Sequence, residues 1–406
     1  MALFASNGYE IVNAFDAADV IVVNTCAFIK EAQEEAIDAI LEMAAIRKNE
    51  AERCKTLIVS GCFSERYRDK VKKEFPEVDI WAGVDDWEAA LSSLVSQNCN
   101  RGQESFRRVL AEPVSTQYIK IAEGCSHKCS FCVIPSIRGK FKSRSADSII
   151  REAQWLYEQG TRELILVAQD TSFYGKDIKT NLVRLLESLL KQTKFPWIRM
   201  MYLHPQLVCD ELLTLMASEP RLCPYFDIPL QHIADPILTA MNRLPLSKGI
   251  CELIDKIRDK VGELTLRTSF IIGFPGESEK EFGELKRFIQ TVRFDKLGVF
   301  PFSPEEGTAA YAMRPRPRAA TVQKRCEELM AIQQEISREI LEAKVGRETQ
   351  IIIDRISDDP DFNYEGRTAG DAPEVDGRVF IRSGTFETGE IATVKIIGAS
   401  DYDLYA

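Results

Sequence analysis

Three closely spaced cysteines are the first residues that could do chemistry. The segment Gln117–Pro135, QYIKIAEGCSHKCSFCVIP, carries Cys125, Cys129 and Cys132 in a Cys-x3-Cys-x2-Cys array. Iron–sulfur clusters are held by cysteine thiolates, normally four. Three thiolates hold three corners of a [4Fe–4S] cube and leave the fourth iron open, as a catalytic zinc keeps one open position. An open iron can chelate the amino and carboxylate groups of S-adenosylmethionine (SAM). It can then pass one electron into the sulfonium and release a 5′-deoxyadenosyl radical. Phe131, beside Cys132, is placed to shield such a cluster. A zinc knuckle completed by His127 or a distant residue is the competing use of these thiolates. Its usual Cys-x2–4-Cys pairs across a long gap match the array poorly.

Elements on either side must position this loop. An apolar strand over Tyr118–Ala122 runs straight into it, and barrels keep their active sites on the loops after their strands. Five further strands are predicted over Glu163–Ala168, Ile198–Leu203, Tyr225–Ile228, Thr265–Ile272 and Lys296–Phe302, with helical patterns between them. Six alternating units suit a partial (β/α)6 barrel within residues 111–340, ending in one long helix over Ala319–Lys344. Residues 1–105 show the same alternation on a smaller scale. Continuous apolar strands, Asp19–Thr25 and Thr56–Ser60, indicate a parallel, doubly wound sheet. They end at Cys26 and at Gly61-Cys62, on the edge where such sheets bind ligands. Two buried structural cysteines is the plainer reading of that pair. A polar stretch over Asn98–Pro113 reads as a linker. Residues 341–406 shift to short β-rich runs between Gly, Asp and Pro turns, which suits a small β-barrel. The fold class is therefore α/β with a C-terminal β appendage. The remaining six cysteines (Cys54, Cys99, Cys209, Cys223, Cys251, Cys326) have no ligand spacing and read as small buried hydrophobes.

Composition narrows the function. The chain has 406 residues and a net charge of −10, so no global field draws it to nucleic acid. No apolar run reaches the ~18 residues of a membrane span, and the start lacks a secretory signal. A cytoplasmic protein without membrane contact is the expectation. Within residues 343–406, seven Lys and Arg face thirteen Asp and Glu, a net of −6. RNA binding wants a basic footprint, whereas an acidic barrel attracts a basic protein. An acidic surface that serves only solubility is the alternative.

Seven segments then carry a family resemblance: NTCAFIKEAQEEAIDAI (Asn24–Ile40), EGCSHKCSFCVIPSIRG (Glu123–Gly139), VAQDTSFYG (Val167–Gly175), FDIPLQHI (Phe226–Ile233), IIGFPGE (Ile271–Glu277), FSPEEGT (Phe302–Thr308) and YEGRTAGDAPEVDG (Tyr364–Gly377). In this order they resemble the radical SAM methylthiotransferase family over essentially the whole chain. The chain is most similar to the RimO type, which methylthiolates the β-carbon of an aspartate in small-subunit ribosomal protein uS12. The resemblance implies an N-terminal second-cluster domain, a radical SAM barrel and a C-terminal TRAM domain. It implies two [4Fe–4S] clusters, two SAM molecules per turnover, an external electron donor and a sulfur source. It places SAM near Ala168, Gln169 and Asp170, and near Gly273, Gly276 and Glu277. Read alone, GFPGE is a Gly-Pro turn after a strand. The family's second cluster takes three cysteines, of which Cys26 and Cys62 match. The third belongs on a loop after a first strand that this sequence does not contain. The expectation is a chain begun inside the first helix, with the second cluster impaired. Two competitors remain: a MiaB-type transferase acting on a transfer RNA adenosine, and a non-catalytic iron–sulfur electron carrier.

Overall fold

The computed structural model describes residues 1–49, 53–92, 94 and 108–406. These form two compact units. Unit 1 comprises 1–109, 124–140 and 303–311; unit 2 comprises 110–123, 141–302 and 312–406. The cysteine loop therefore packs as part of unit 1.

In unit 1, a short helix α1 (Ala2–Ala5) precedes β1 (Val20–Thr25), α2 (Lys30–Lys48), β2 (Thr56–Gly61), α3 (Cys62–Val71), β3 (Ile80–Ala82) and α4 (Trp87–Ser92). The three strands pair in parallel in the order β1-β2-β3. Central β2 is fully buried from Leu57 to Val59, which is why it reads as one apolar run. Phe4 of α1 packs on Ile58. Val133, the N-cap residue of α5 (Ile134–Arg138), and Ile137 within that helix sit in the same core as Leu57, Val59 and Phe63. Two apolar anchors thus hold the cysteine loop to this unit.

Unit 2 begins with β4 (Thr116–Lys120). The expected strand Tyr118–Ala122 divides here. Thr116–Lys120 joins the barrel, while β5 (Ala122–Glu123) turns away to pair antiparallel with β6 (Lys142–Ser143). Then follow α6 (Ala146–Glu158), β7 (Glu163–Val167), α7 (Leu182–Gln192), β8 (Trp197–Met200), α8 (Asp210–Ser218), β9 (Tyr225–Asp227), α9 (Asp235–Ala240), α10 (Ser247–Val261), β10 (Thr265–Ile272), α11 (Glu279–Val292), β11 (Lys296–Pro301) and α12 (Ala319–Glu342). Strands β4-β7-β8 and β11-β10-β9 make two parallel three-stranded sheets. A bridge at Ile198–Leu222 and a bond from Leu203 N to Asp227 O at 2.8 Å join β8 to β9. The six strands are the partial barrel that the alternation predicted, and the face they turn to the helices shares one large core with them.

The C-terminal region adds β12 (Glu348–Ile356), β13 (Tyr364–Thr368), β14 (Val379–Ile381), β15 (Ile391–Lys395), β16 (Gly398–Ala399) and β17 (Leu404–Tyr405). They form one curled sheet in the order β15-β12-β13-β14-β17-β16. β13, β16 and β17 were not legible in the sequence: β13 is interrupted by glycine, and the other two are only two residues long. This sheet is fastened to the barrel. Ile352 and Ala372 pack with Ile165, Trp197 and Tyr225. Beneath them, Glu163 bridges Arg199 at 2.7 Å and Arg367 at 2.8 Å, and Arg367 also holds Asp354 at 2.7 Å. Burial pushes the Glu163 carboxyl up, but the two guanidiniums more than offset it and hold it below the ordinary carboxylate range.

The lone cysteines divide. Cys54 and Cys223 are buried as predicted, and Cys99 lies outside the described residues. Cys209 and Cys251 are exposed and Cys326 is half-buried, which corrects the expectation of uniform burial. Cys209 caps the start of α8 and Cys251 lies on the outer side of α10, whose buried stripe is Ile250, Leu253, Ile254 and Ile257. Helical position outweighs the general preference of cysteine for interiors.

Candidate active site

The cysteine loop is clasped at its base. Gly124 has φ +78°, and a Cβ there would lie 2.4 Å from Lys140 O and 2.8 Å from Arg138 O. Only glycine permits that approach. Cys125 N then donates to Gly139 O at 3.1 Å, closing the two arms on each other. Cys132 N donates to Cys129 O at 3.2 Å, a tight turn that directs the last two thiols. All three cysteines are half-buried. Beyond them α5 seals the loop through Val133 and Ile137, 3% and 5% exposed.

No group of three His, Cys, Asp or Glu side chains among the described residues converges tightly enough to hold a single metal ion. A cubane takes one thiolate per iron, so its cysteines stand wider apart than ligands that share one ion. Three soft donors, half-buried on a loop fixed at both ends, are a donor set that fits such a cluster.

Cys26 and Cys62 each follow directly on the end of a strand. β1 and β2 pair with Thr25 opposite Gly61, so the two cysteines leave the sheet at the same edge. Gly61 has φ +96° and approaches so closely that a Cβ would lie 2.4 Å from Thr25 O. Thr25 Oγ1 donates to Ser60 O, tying the two strand ends together. Cys26 is exposed and Cys62 buried. Cys62 is also the first residue of α3, and Arg138 Nη2 lies 3.3 Å from its Sγ. Two thiolates at this edge are one short of the three that the family resemblance implies.

The residues expected near SAM all lie in unit 2. Ala168 and Asp170 are buried just past β7, at 6% and 3% exposure. The Asp170 carboxylate caps the turn after it, accepting from Ser172 Oγ at 2.5 Å and Phe173 N at 3.2 Å. Gln169 is different: its Oε1 is buried and has no donor among the described residues. A buried acceptor without a partner is costly, and a ligand amine or hydroxyl could satisfy it.

After β10, the GFPGE turn has Gly273 at φ +80° and Gly276 at φ +92°. A Cβ on Gly273 would fall 2.4 Å from Val322 Cγ2, so packing against α12 already requires glycine there. Glu277, 4% exposed, accepts from Gly273 N at 2.9 Å and Arg325 Nη1 at 2.6 Å, with His232 Nε2 at 3.5 Å. His232 Nδ1 accepts from Ala234 N, so the ring proton lies on the Nε2 side facing Glu277. The Glu277 carboxylate is used within the protein, and its effect is to hold the turn in shape.

Comparison with known proteins gives these positions a family. Residues 119–289 match the radical SAM superfamily, 1–83 the uncharacterized protein family UPF0004, and 345–406 the TRAM domain. The chain is 41% identical to the ribosomal protein uS12 methylthiotransferase RimO of Pelobacter propionicus, covering 100% of this chain and 92% of that one. It is 43% identical to the RimO of Aquifex aeolicus, over 98% and 90%. The chain belongs to the RimO methylthiotransferase family. In fold it is similar to the radical SAM methyltransferase TsrM of Kitasatospora setae, with a TM-score of 0.51, 13% identity, and coverage of 85% of this chain and 71% of that one.

Within this RimO-family chain, sequence reasoning missed two features of unit 1. Arg138 closes the segment EGCSHKCSFCVIPSIRG with no chemical signal of its own, yet it carries a guanidinium from the cysteine loop to Cys62. Arg66, on α3, donates to Glu305 Oε2 and Ala27 O, both at 2.8 Å, and Gln33 Nε2 donates to the same carboxylate at 2.8 Å. Glu305 is the first glutamate of FSPEEGT. The network explains why that segment packs with unit 1, far from its neighbours in sequence. The only signal was a Pro-Glu-Glu-Gly run that had no local role.

Proposed function

We propose that the chain methylthiolates the β-carbon of an aspartate in ribosomal protein uS12, with the thiolates of Cys125, Cys129 and Cys132 holding the [4Fe–4S] cluster that binds SAM. The observation that carries the site assignment is the clasped loop with its three half-buried cysteines. When bound, such a cluster supplies the electron that cleaves SAM; the protein supplies binding, orientation and exclusion of water. Gly124 and the α5 anchors keep the thiolates in place. Gln169 offers its unsatisfied acceptor to SAM, and Glu277 fixes the Gly273–Gly276 turn so that backbone can approach the cofactor. The working compartment is the cytoplasm, and among the described residues no helix is long and apolar enough to cross a membrane. An external reductant and a sulfur source complete the reaction. The net charge of −6 over 343–406 favours a basic protein over RNA as the partner of the TRAM region.

The test is Cys129→Ala. Iron attributable to this site and 5′-deoxyadenosine formation should both fall to background. Undiminished SAM cleavage by the variant would end the assignment. A mere electron carrier would not cleave SAM in the wild type.

A further inference from the structure

A cleft on unit 2 is built to take a cation. It runs along β11 and α12 and is closed by the loops at Val375–Gly377 and Tyr402–Asp403, with a cavity volume of about 470 Å³. Its rim is apolar and open to solvent: Phe300, Val375 and Tyr402 are 53%, 51% and 47% exposed. Large apolar side chains are scattered over any surface, but three around one concavity form a patch that wants a partner.

The floor is acidic. Asp295, Asp376 and Asp403 line it, and the two cations beside them are already engaged. Arg267 pairs with Asp227 at 3.0 Å and reaches Asp376 at 3.7 Å, and Lys296 pairs with Asp371 at 2.7 Å. With those partners and the nearby Lys344 included, five carboxylates face three cations, leaving the cleft negative.

Gln333 gives an independent indication. It lines the cleft and is 3% exposed. Its Nε2 donates to Phe294 O at 2.8 Å, which fixes the amide's orientation. Oε1 is then a buried acceptor with no donor among the described residues. Aromatic rings at the mouth, carboxylates inside and an unsatisfied acceptor together match one side chain. A guanidinium is planar, stacks on rings, carries five donors and keeps its charge.

We infer that this cleft docks an arginine side chain from a basic protein partner. The inference rests on the proposed action on uS12, and it adds where that protein is gripped. The grip lies between the barrel edge and the TRAM loops, so both parts of unit 2 choose the substrate. An RNA phosphate would meet three carboxylates and no unpaired cation in the cleft lining, so a nucleic acid is disfavoured here.

Tyr402→Lys and Val375→Lys each place a positive charge at the exposed mouth, where folding tolerates it. Binding of fluorescently labelled uS12 to the full chain should weaken at least about tenfold in each, because a like charge now opposes entry. Val375→Ala should change it by less than about twofold, and SAM cleavage without uS12 should be unaffected. L-argininamide, titrated into protein labelled with nitrogen-15 at glutamine, should shift the Gln333 side-chain amide. If argininamide shifts Gln333 but the wild type does not bind uS12, the docking chemistry stands and the choice of substrate falls. Unchanged uS12 affinity in both lysine variants overturns the proposal, as does displacement of argininamide by transfer RNA.

Discussion

The cysteine loop and the Cys26/Cys62 pair are both sulfur sites of unit 1, and they are assembled in opposite ways. The trio lies within eight consecutive residues on one clasped loop. The pair is separated by a helix and a strand and reaches the same edge only because Thr25 stands opposite Gly61. A ligand set on one loop depends on local turns. A set drawn from two strand ends depends on a register, and a slip of one residue moves every side chain to the opposite face. The trio should therefore survive disturbances of the sheet that scatter the pair.

The largest expected contrast follows. Cys129→Ala should lower SAM cleavage to background, whereas Cys62→Ala should leave it within about twofold, since a residue outside the reacting set contributes little to that step. Equal losses, assayed as 5′-deoxyadenosine, would merge the two sites into one.

Next in size is the fastening of the TRAM sheet to the barrel. Arg367→Met takes one of two guanidiniums from Glu163 and the hydrogen-bonded ion pair from Asp354, and breaking a buried pair costs about 3–5 kcal/mol. The urea midpoint should fall accordingly. Because the Glu163 carboxyl is held below its ordinary range, its contribution is full above that range. It is lost as pH falls through the depressed value. In the variant, the acid limb of the stability profile should move to higher pH. A midpoint and an acid limb both like the wild type would show that the network adds no stability. The same fastening means that deleting the TRAM sheet would bare Ile165, Trp197 and Tyr225, and would test the fold as much as the docking.

Gly61→Ala probes the register itself. Its φ of +96° and the closeness of Thr25 O should cost about 1–3 kcal/mol. Amide exchange should quicken in β1 and β2 while 5′-deoxyadenosine formation persists. Protection unchanged in both strands would mean that the glycine is not what sets their approach.

The smallest effect belongs to Glu277→Gln. It keeps the shape of the turn but weakens the bond to Arg325, worth ~1 kcal/mol. SAM affinity should drop severalfold with iron content unchanged. Loss of iron instead would assign Glu277 to the cluster.

The barrel's strands were legible because short runs rich in apolar and β-branched residues alternate with amphipathic helices, as Glu163–Val167 between α6 and α7 shows. The division at Ile121 was not, because Lys120–Glu123 continues the same alternation. The change of partner from β7 to β6 is decided by the return of the chain at Lys142–Ser143. Gly273 and Glu277 are placed near SAM by the family resemblance alone, since their string by itself reads as a turn after a strand. Their contacts with Val322, Arg325 and His232 come from segments tens of residues away, and no spacing encodes that.

By itself, the sequence determined the trio, the order of elements and the acidic character of the C-terminal sheet. These depend on residue type, local spacing and summed charge, which a chain carries before it folds. Tertiary structure alone decided that Cys26 leaves the sheet at the same edge as Cys62, that Arg138 reaches that thiol, and that Glu163 meets Arg367. It also decided that Phe300, Gln333 and Tyr402 border one cleft. Those are meetings of distant segments, fixed by strand register and by which apolar faces find each other.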